Sequence, residues 1–145
     1  MPAKVVRLSL LVSLLIPAFA GTLPGQTFLA ELKLQHDPAK RSEMALGFAD
    51  ELFDNARSSY VKGEISKGDA DLESMTKALN ACLDSLATAN KSRSYKKAEM
   101  KVAYLQRRLS DLVNDMSIQE RGWAEFTSRK LDEIHDKLLN GVMRK

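Results

Sequence analysis

The chain has 145 residues, with 22 lysines and arginines against 19 aspartates and glutamates and a formal net charge of +3. A single cysteine, Cys82, excludes an internal disulfide framework and a Cys-x-x-Cys-His haem attachment run, and no glycine-rich phosphate loop occurs. A chain of this size fits one domain and buries about two thirds of its unfolded surface without a metal or a staple.

Residues 1–20 have the layout of an export signal. Lys4 and Arg7 form a positive start, and Leu8 to Ile16 an apolar run of nine residues interrupted only by Ser9 and Ser13. Pro17 then precedes the small-residue pair Ala18 and Ala20. Spanning a bilayer takes ~20 apolar residues, about twice this run. No cysteine follows to carry a lipid, and no later stretch is apolar enough to span. Cleavage after Ala20 is therefore expected, with the mature protein beginning at Gly21 and lying in the periplasm or outside the cell. Lys4 and Arg7 leave with the signal, so 20 bases face 19 acids. Near-neutrality of the mature chain argues against polyanion binding by the whole molecule.

Residues 21–36 read as a leader of uncertain order, punctuated by Gly21, Pro24 and Gly25, in which Phe28, Leu29, Leu32 and Leu34 could dock on the body or form a short turn of helix. Residues 37–145 read as the folded domain. Asp37-Pro38 pairs a capping acceptor with proline at the first helical position. Ala45, Ala49, Leu52, Ala56 and Tyr60 then follow at steps of four and three, a single helix face, and Gly63 is a natural stop. Ile65, Leu72, Met75, Leu79, Cys82 and Leu86 share the next heptad frame, with Gly68-Asp69 as a candidate start and Asp69 as a candidate cap.

Asn90 to Ser94 is turn-like. Ala98, Val102, Leu105, Leu109, Leu112 and Met116 make the most regular stripe in the chain. Ser117-Ile118-Gln119-Glu120 has the pattern of a capping box that would open the last helix. That helix carries Thr127, Leu131, Ile134, Leu138 and Val142, with Trp123 and Phe126 near its start and Gly141 near its end. Four amphipathic helices with short links predict an all-α, coiled-coil-like fold, an antiparallel four-helix bundle. The alternative is a stack of helical hairpins of tetratricopeptide type, for which no ~34-residue period is evident.

No catalytic, cofactor-binding or metal-binding residue emerges. A di-metal bundle site needs two Glu-x-x-His steps plus further carboxylates. Asp132-x-x-His135 is one approximate half, and the other histidine, His36, precedes the first domain helix. Cys82 shares a frame with Leu79 and Leu86 and reads as a buried thiol rather than a nucleophile. Asp50-Glu51 and Asp132-Glu133 are sequence neighbours that do not converge and read as solvated surface.

Charge gives the one local contrast. Lys91, Arg93, Lys96, Lys97, Lys101, Arg107 and Arg108 face the single acid Glu99 in their stretch, whereas Glu43, Asp50, Glu51 and Asp54 include no base in theirs. Either these charges meet across a helix interface or the basic helix faces an anionic partner such as lipid headgroups or wall polymer. The first reading is preferred. Nucleic acid is a poor partner for an exported chain, and Tyr95 and Tyr104 alone make no stacking platform.

The run Asp37 to Glu43, Lys97-Ala98-Glu99, Arg107-Arg108-Leu109, and the closing Ile134-His135-Asp136, Leu138-Leu139 and Gly141-Val142-Met143 resemble a family of small exported all-helical proteins, chiefly from acidobacteria-like soil bacteria. The resemblance spans most of the mature chain and implies export and an α fold, with no activity or site residue to transfer. The expected function is that of a non-enzymatic envelope or secreted protein whose partner is an unknown protein or an anionic envelope surface. A periplasmic chaperone-like or stress role, or less readily a small metal-binding enzyme, is the alternative.

Overall fold

The computed structural model describes residues 24–144, with side chains from Thr27 onward; the export signal read over residues 1–20 and the cleavage after Ala20 lie outside them. Every regular element among the described residues is helical: α1 (Pro24–Leu34), α2 (Pro38–Val61), α3 (Ile65–Ala89), α4 (Ser92–Asp115) and α5 (Gly122–Met143). None of these helices is long and apolar enough to cross a membrane.

The boundaries of α2 follow from local chemistry. Asp37 is extended, and its carboxylate accepts hydrogen bonds from the backbone amides of Ala39 and Lys40, with Pro38 at the first helical position. Gly63 takes φ +79, and its amide donates to the Tyr60 carbonyl, closing the helix in a conformation that glycine adopts at little cost. Asn90, at φ 48, ends α3 in the same left-handed region.

The leader, left open in the sequence reading, is helical over α1, which buries Leu32 and stacks the Phe28 ring on Phe48 of α2 at 4.5 Å. Two boundaries depart from that reading. Asp69 caps nothing, because α3 begins at Ile65 and the Asp69 carboxylate instead accepts the Tyr60 hydroxyl at 2.5 Å. The capping box at Ser117 does not form. In such a box the Glu120 amide would bond the serine hydroxyl; here it donates to the Ser117 backbone carbonyl at 3.1 Å. A turn results, and α5 opens at Gly122 without a side-chain cap.

Two interleaved rows on each of α2 and α3 are buried. The second rows are small or polar: Ser42, Ala45, Ala49, Ala56 and Ser59 on α2, and Gly68, Asp71, Ala78, Cys82 and Ser85 on α3. Small side chains let backbones approach closely, and the most extensive helix contact in the molecule lies between these two helices. Gly68 sits so near the Tyr60 ring that an added Cβ would lie 2.7 Å from Cε1. The larger core residues, among them Phe53, Leu72, Met75, Leu79, Leu105, Leu109, Leu131 and Leu138, are fully enclosed.

Side-chain partners fix the helix directions. Arg41 reaches Ser85, while Tyr60 reaches Asp69, so α2 and α3 are antiparallel. Gln106 bonds Asp132 and Glu99 meets His135, so α4 and α5 are antiparallel. Between the hairpins the sense is parallel. Glu43 pairs with Lys97 and Asp54 with Arg108, both 54 positions apart, so α2 runs alongside α4 in the same direction. In the same way, α3 lies along α5, while α2 and α5 do not touch among the described residues.

Candidate functional surfaces

The basic stretch singled out from sequence lies on α4 and just before it, and it divides. Lys97 Nζ is 3.0 Å from Glu43, Lys101 Nζ 2.7 Å from Asp50 and Arg108 Nη2 2.7 Å from Asp54. Arg108 also lies over the Phe53 ring at 4.5 Å, a stacking that lysine could not reproduce as well. Lys96 pairs with Glu99 on its own helix at 3.2 Å. Lys91, Arg93 and Arg107 are exposed. Asp50 is thus no freely solvated acid, as Asp50-Glu51 had suggested: one oxygen holds Lys101, and Oδ1 is enclosed without a partner. Glu51 is exposed.

Asp132 and His135, the half-motif for a metal, go to separate partners. Asp132 accepts from the Gln106 amide at 2.8 Å, and His135 Nε2 lies 2.9 Å from Glu99. Among the described residues no three His, Cys, Asp or Glu side chains gather as a metal site would require. Hydrogen bonds with His135 and Lys96 hold the Glu99 carboxyl below the usual range. Cys82 is buried, and burial pushes its thiol up to about 12, which suppresses the thiolate needed of a nucleophile.

A second surface went unread in the sequence. Between α3 and α5 runs an open groove of about 380 Å³, with Thr76 and Asn80 on one side and Trp123, Phe126, Thr127 and Ile134 on the other. Trp123 and Phe126 are 38 % and 39 % exposed, their centroids 5.2 Å apart. Thr127 is buried, and its hydroxyl donates to the Trp123 carbonyl at 2.9 Å. Ion pairs flank the groove, Glu73–Lys77 at 3.3 Å and Lys130–Glu133 at 3.4 Å, and Lys137 lines it as well, so its rim carries one base in excess of its acids. Ile118, in the preceding turn and outside the groove lining, is 76 % exposed. The signal was present as three large apolar residues close to a helix start, off its core stripe.

No family model, no curated protein and no solved structure matches the chain.

Proposed function

We propose that the chain is an exported, non-enzymatic envelope or secreted protein that binds another protein. In this reading its four long helices act as two stacked antiparallel hairpins, and the docking surface is the α3–α5 groove. The observation that carries it is the half-exposed Trp123–Phe126 pair at the mouth of that groove. Aromatic side chains next to a concave surface are the residues that dominate protein interfaces. Pairing of Glu73 with Lys77 and of Lys130 with Glu133 leaves only Lys137 over at the rim, which suits an apolar-tipped segment of a partner better than an anionic polymer. An anionic partner is also the weaker reading because Lys97, Lys101 and Arg108 already face carboxylates of α2.

The test is photocrosslinking in intact cells from a reactive residue placed at Phe126, with one at Arg107 as comparison. A discrete protein captured from position 126 and not from 107 supports the proposal. Lipid or wall polymer captured from position 107, with nothing from 126, would replace it with an anionic-surface reading.

A further inference from the structure

The α3–α5 groove does not end at Ile134. Asn80 and Lys137, which line it, also line a second hollow of about 360 Å³ that continues along the same two helices, past Leu83 and Ala87 on one side and Gly141 and Arg144 on the other. Because α3 and α5 run in the same direction, they wall a single trough from Glu73 to Ala87, about 21 Å long at the helical rise of ~1.5 Å per residue. Its ends differ. Trp123 and Phe126 stand half-exposed at the first, beside the pairs Glu73–Lys77 and Lys130–Glu133. At the second, Lys137 and Arg144 on the α5 wall face Asp84 on the α3 wall. All three are exposed, and among the described residues none of them enters an ion pair. The trough is therefore aromatic at one end and carries an excess base at the other.

Every regular element among the described residues is helical, so an extended peptide laid here would find no strand edge for its backbone. A helix bonds its own backbone and needs only side-chain contacts from the walls. A length of 21 Å takes about 14 helical residues, four turns. Charge sets the direction. The C-terminal ends of α3 and α5 both lie at the basic end of the trough. A helix antiparallel to them brings its positive N-terminal end there, and carboxylates in its first turn, where they are favoured, meet Lys137 and Arg144. A polyanion would engage the basic end and leave the aromatic end bare. We propose that the trough takes an amphipathic helix of a partner protein, antiparallel to α5, with acids in its first turn and apolar side chains over Trp123 and Phe126 in its later turns. This rests on the docking reading of the groove and adds the shape, polarity and direction of the occupant.

The probe is a displayed library of helix-forming peptides of about 14 residues, free of tryptophan and randomised along one face, selected on the folded chain. Enriched peptides should carry glutamate or aspartate in the first turn and large apolar residues in the later ones. Trp123 is the chain's sole tryptophan, so its emission should shift to the blue as a selected peptide covers it. Lys137→Glu, a change at an exposed position, should weaken binding by about tenfold or more, and exchange of the peptide's first-turn acids for lysine should restore it. Peptides that lose binding to Phe126→Ala but show no acid preference, or that bind Lys137→Glu equally, would overturn the proposal and leave the groove reading standing. Peptides indifferent to Phe126→Ala would overturn both. No enriched peptide at all would overturn the helix as occupant, and crosslinking from position 126 then decides the groove reading by itself.

Discussion

Gly141 of α5 lies so close beneath the Tyr95 ring of α4 that a Cβ there would collide with Cγ, Cδ1 and Cε1. The crowded atoms include the base of the ring, so a small rotation of its far end gives no relief. Gly141→Ala should therefore destabilise the protein, an overpacking penalty of ~1–3 kcal/mol outweighing the about 1 kcal/mol that alanine gains over glycine within a helix. Gly47, in the interior of α2 with nothing within 4 Å of its would-be Cβ, is the control. There the same substitution should stabilise by ~0.5–1 kcal/mol. Urea unfolding of both variants gives the two signs.

Leu105 and Leu109 are completely buried mid-way along α4. Truncation of either to alanine should cost ~2–5 kcal/mol, a large share of the ~5–15 kcal/mol that holds a domain together. An unchanged melting temperature for Leu105→Ala would show that α4 is peripheral to the core.

The α2–α4 ion pairs should differ in importance. Lys97 and Glu43 are well exposed, and Lys97→Gln should change stability by ~0–1 kcal/mol. Lys101→Gln should cost more, because Asp50 already has one enclosed oxygen without a partner and would lose its cation as well. Changing Lys96, Lys97, Lys101, Arg107 and Arg108 together to glutamine should lower stability modestly and leave binding to anionic vesicles as weak as before. Tight, salt-sensitive vesicle binding by the native chain that this variant lacks would promote the basic helix to a functional surface.

Two carboxyls should tilt the pH profile in opposite directions. The folded-state value of Glu99 is depressed by its bonds to His135 and Lys96. Its stabilising contribution is present above the unfolded carboxylate value of ~4 and is lost as pH falls through the folded one. The value of Asp71 is raised by burial, so its contribution is present below the unfolded value and lost as pH rises through the folded one. Glu99→Gln should accordingly lower the melting temperature at neutral pH and less in acid. Asp71→Asn should raise it at neutral pH and lose that advantage in acid. Melting curves between about pH 3 and pH 7 separate the two.

Cys82 should react slowly with thiol reagents in the native protein and rapidly once denaturant is added. Burial both raises its thiol and blocks access, so labelling must wait for an opening of the fold. Prompt labelling of the native chain, or a covalent dimer on a non-reducing gel, would contradict the placement.

The stripes from Ala45 to Tyr60, from Ile65 to Leu86, from Ala98 to Met116 and from Thr127 to Val142 were legible because leucine and alanine at steps of three and four leave little else to read, and their residues are buried except Ile65, Met116 and Val142, which are partly exposed. Asp37-Pro38 and Gly63 were legible because their chemistry is local. Asp71 was not: its row contains Gly68 and Ser85, and buriedness there depends on the close approach of α2, which no step count reveals. The Ser117 box failed for a related reason. The same serine carries a backbone carbonyl that competes for the Glu120 amide, and sequence does not say which oxygen wins. The contrast between acidic α2 and basic α4 was visible as composition. The individual pairs Glu43–Lys97, Asp50–Lys101 and Asp54–Arg108 depended on two helices running in the same direction, a tertiary fact.

That shared direction bears on how the molecule assembles. Each hairpin closes on near neighbours in the chain, and only the two-residue link Asn90–Lys91 joins one to the other. The acidic side of α2 and the basic side of α4 are therefore matched rails along which the two hairpins align. Their attraction extends over about 8 Å in physiological salt, far enough to bias orientation before any apolar surface meets. A slip of one turn towards the C-terminus of α2, ~5.4 Å, would carry Arg108 from Asp54 towards Arg57 and be repelled. High ionic strength would weaken that attraction, so refolding should slow with added salt even though the finished core is indifferent to it.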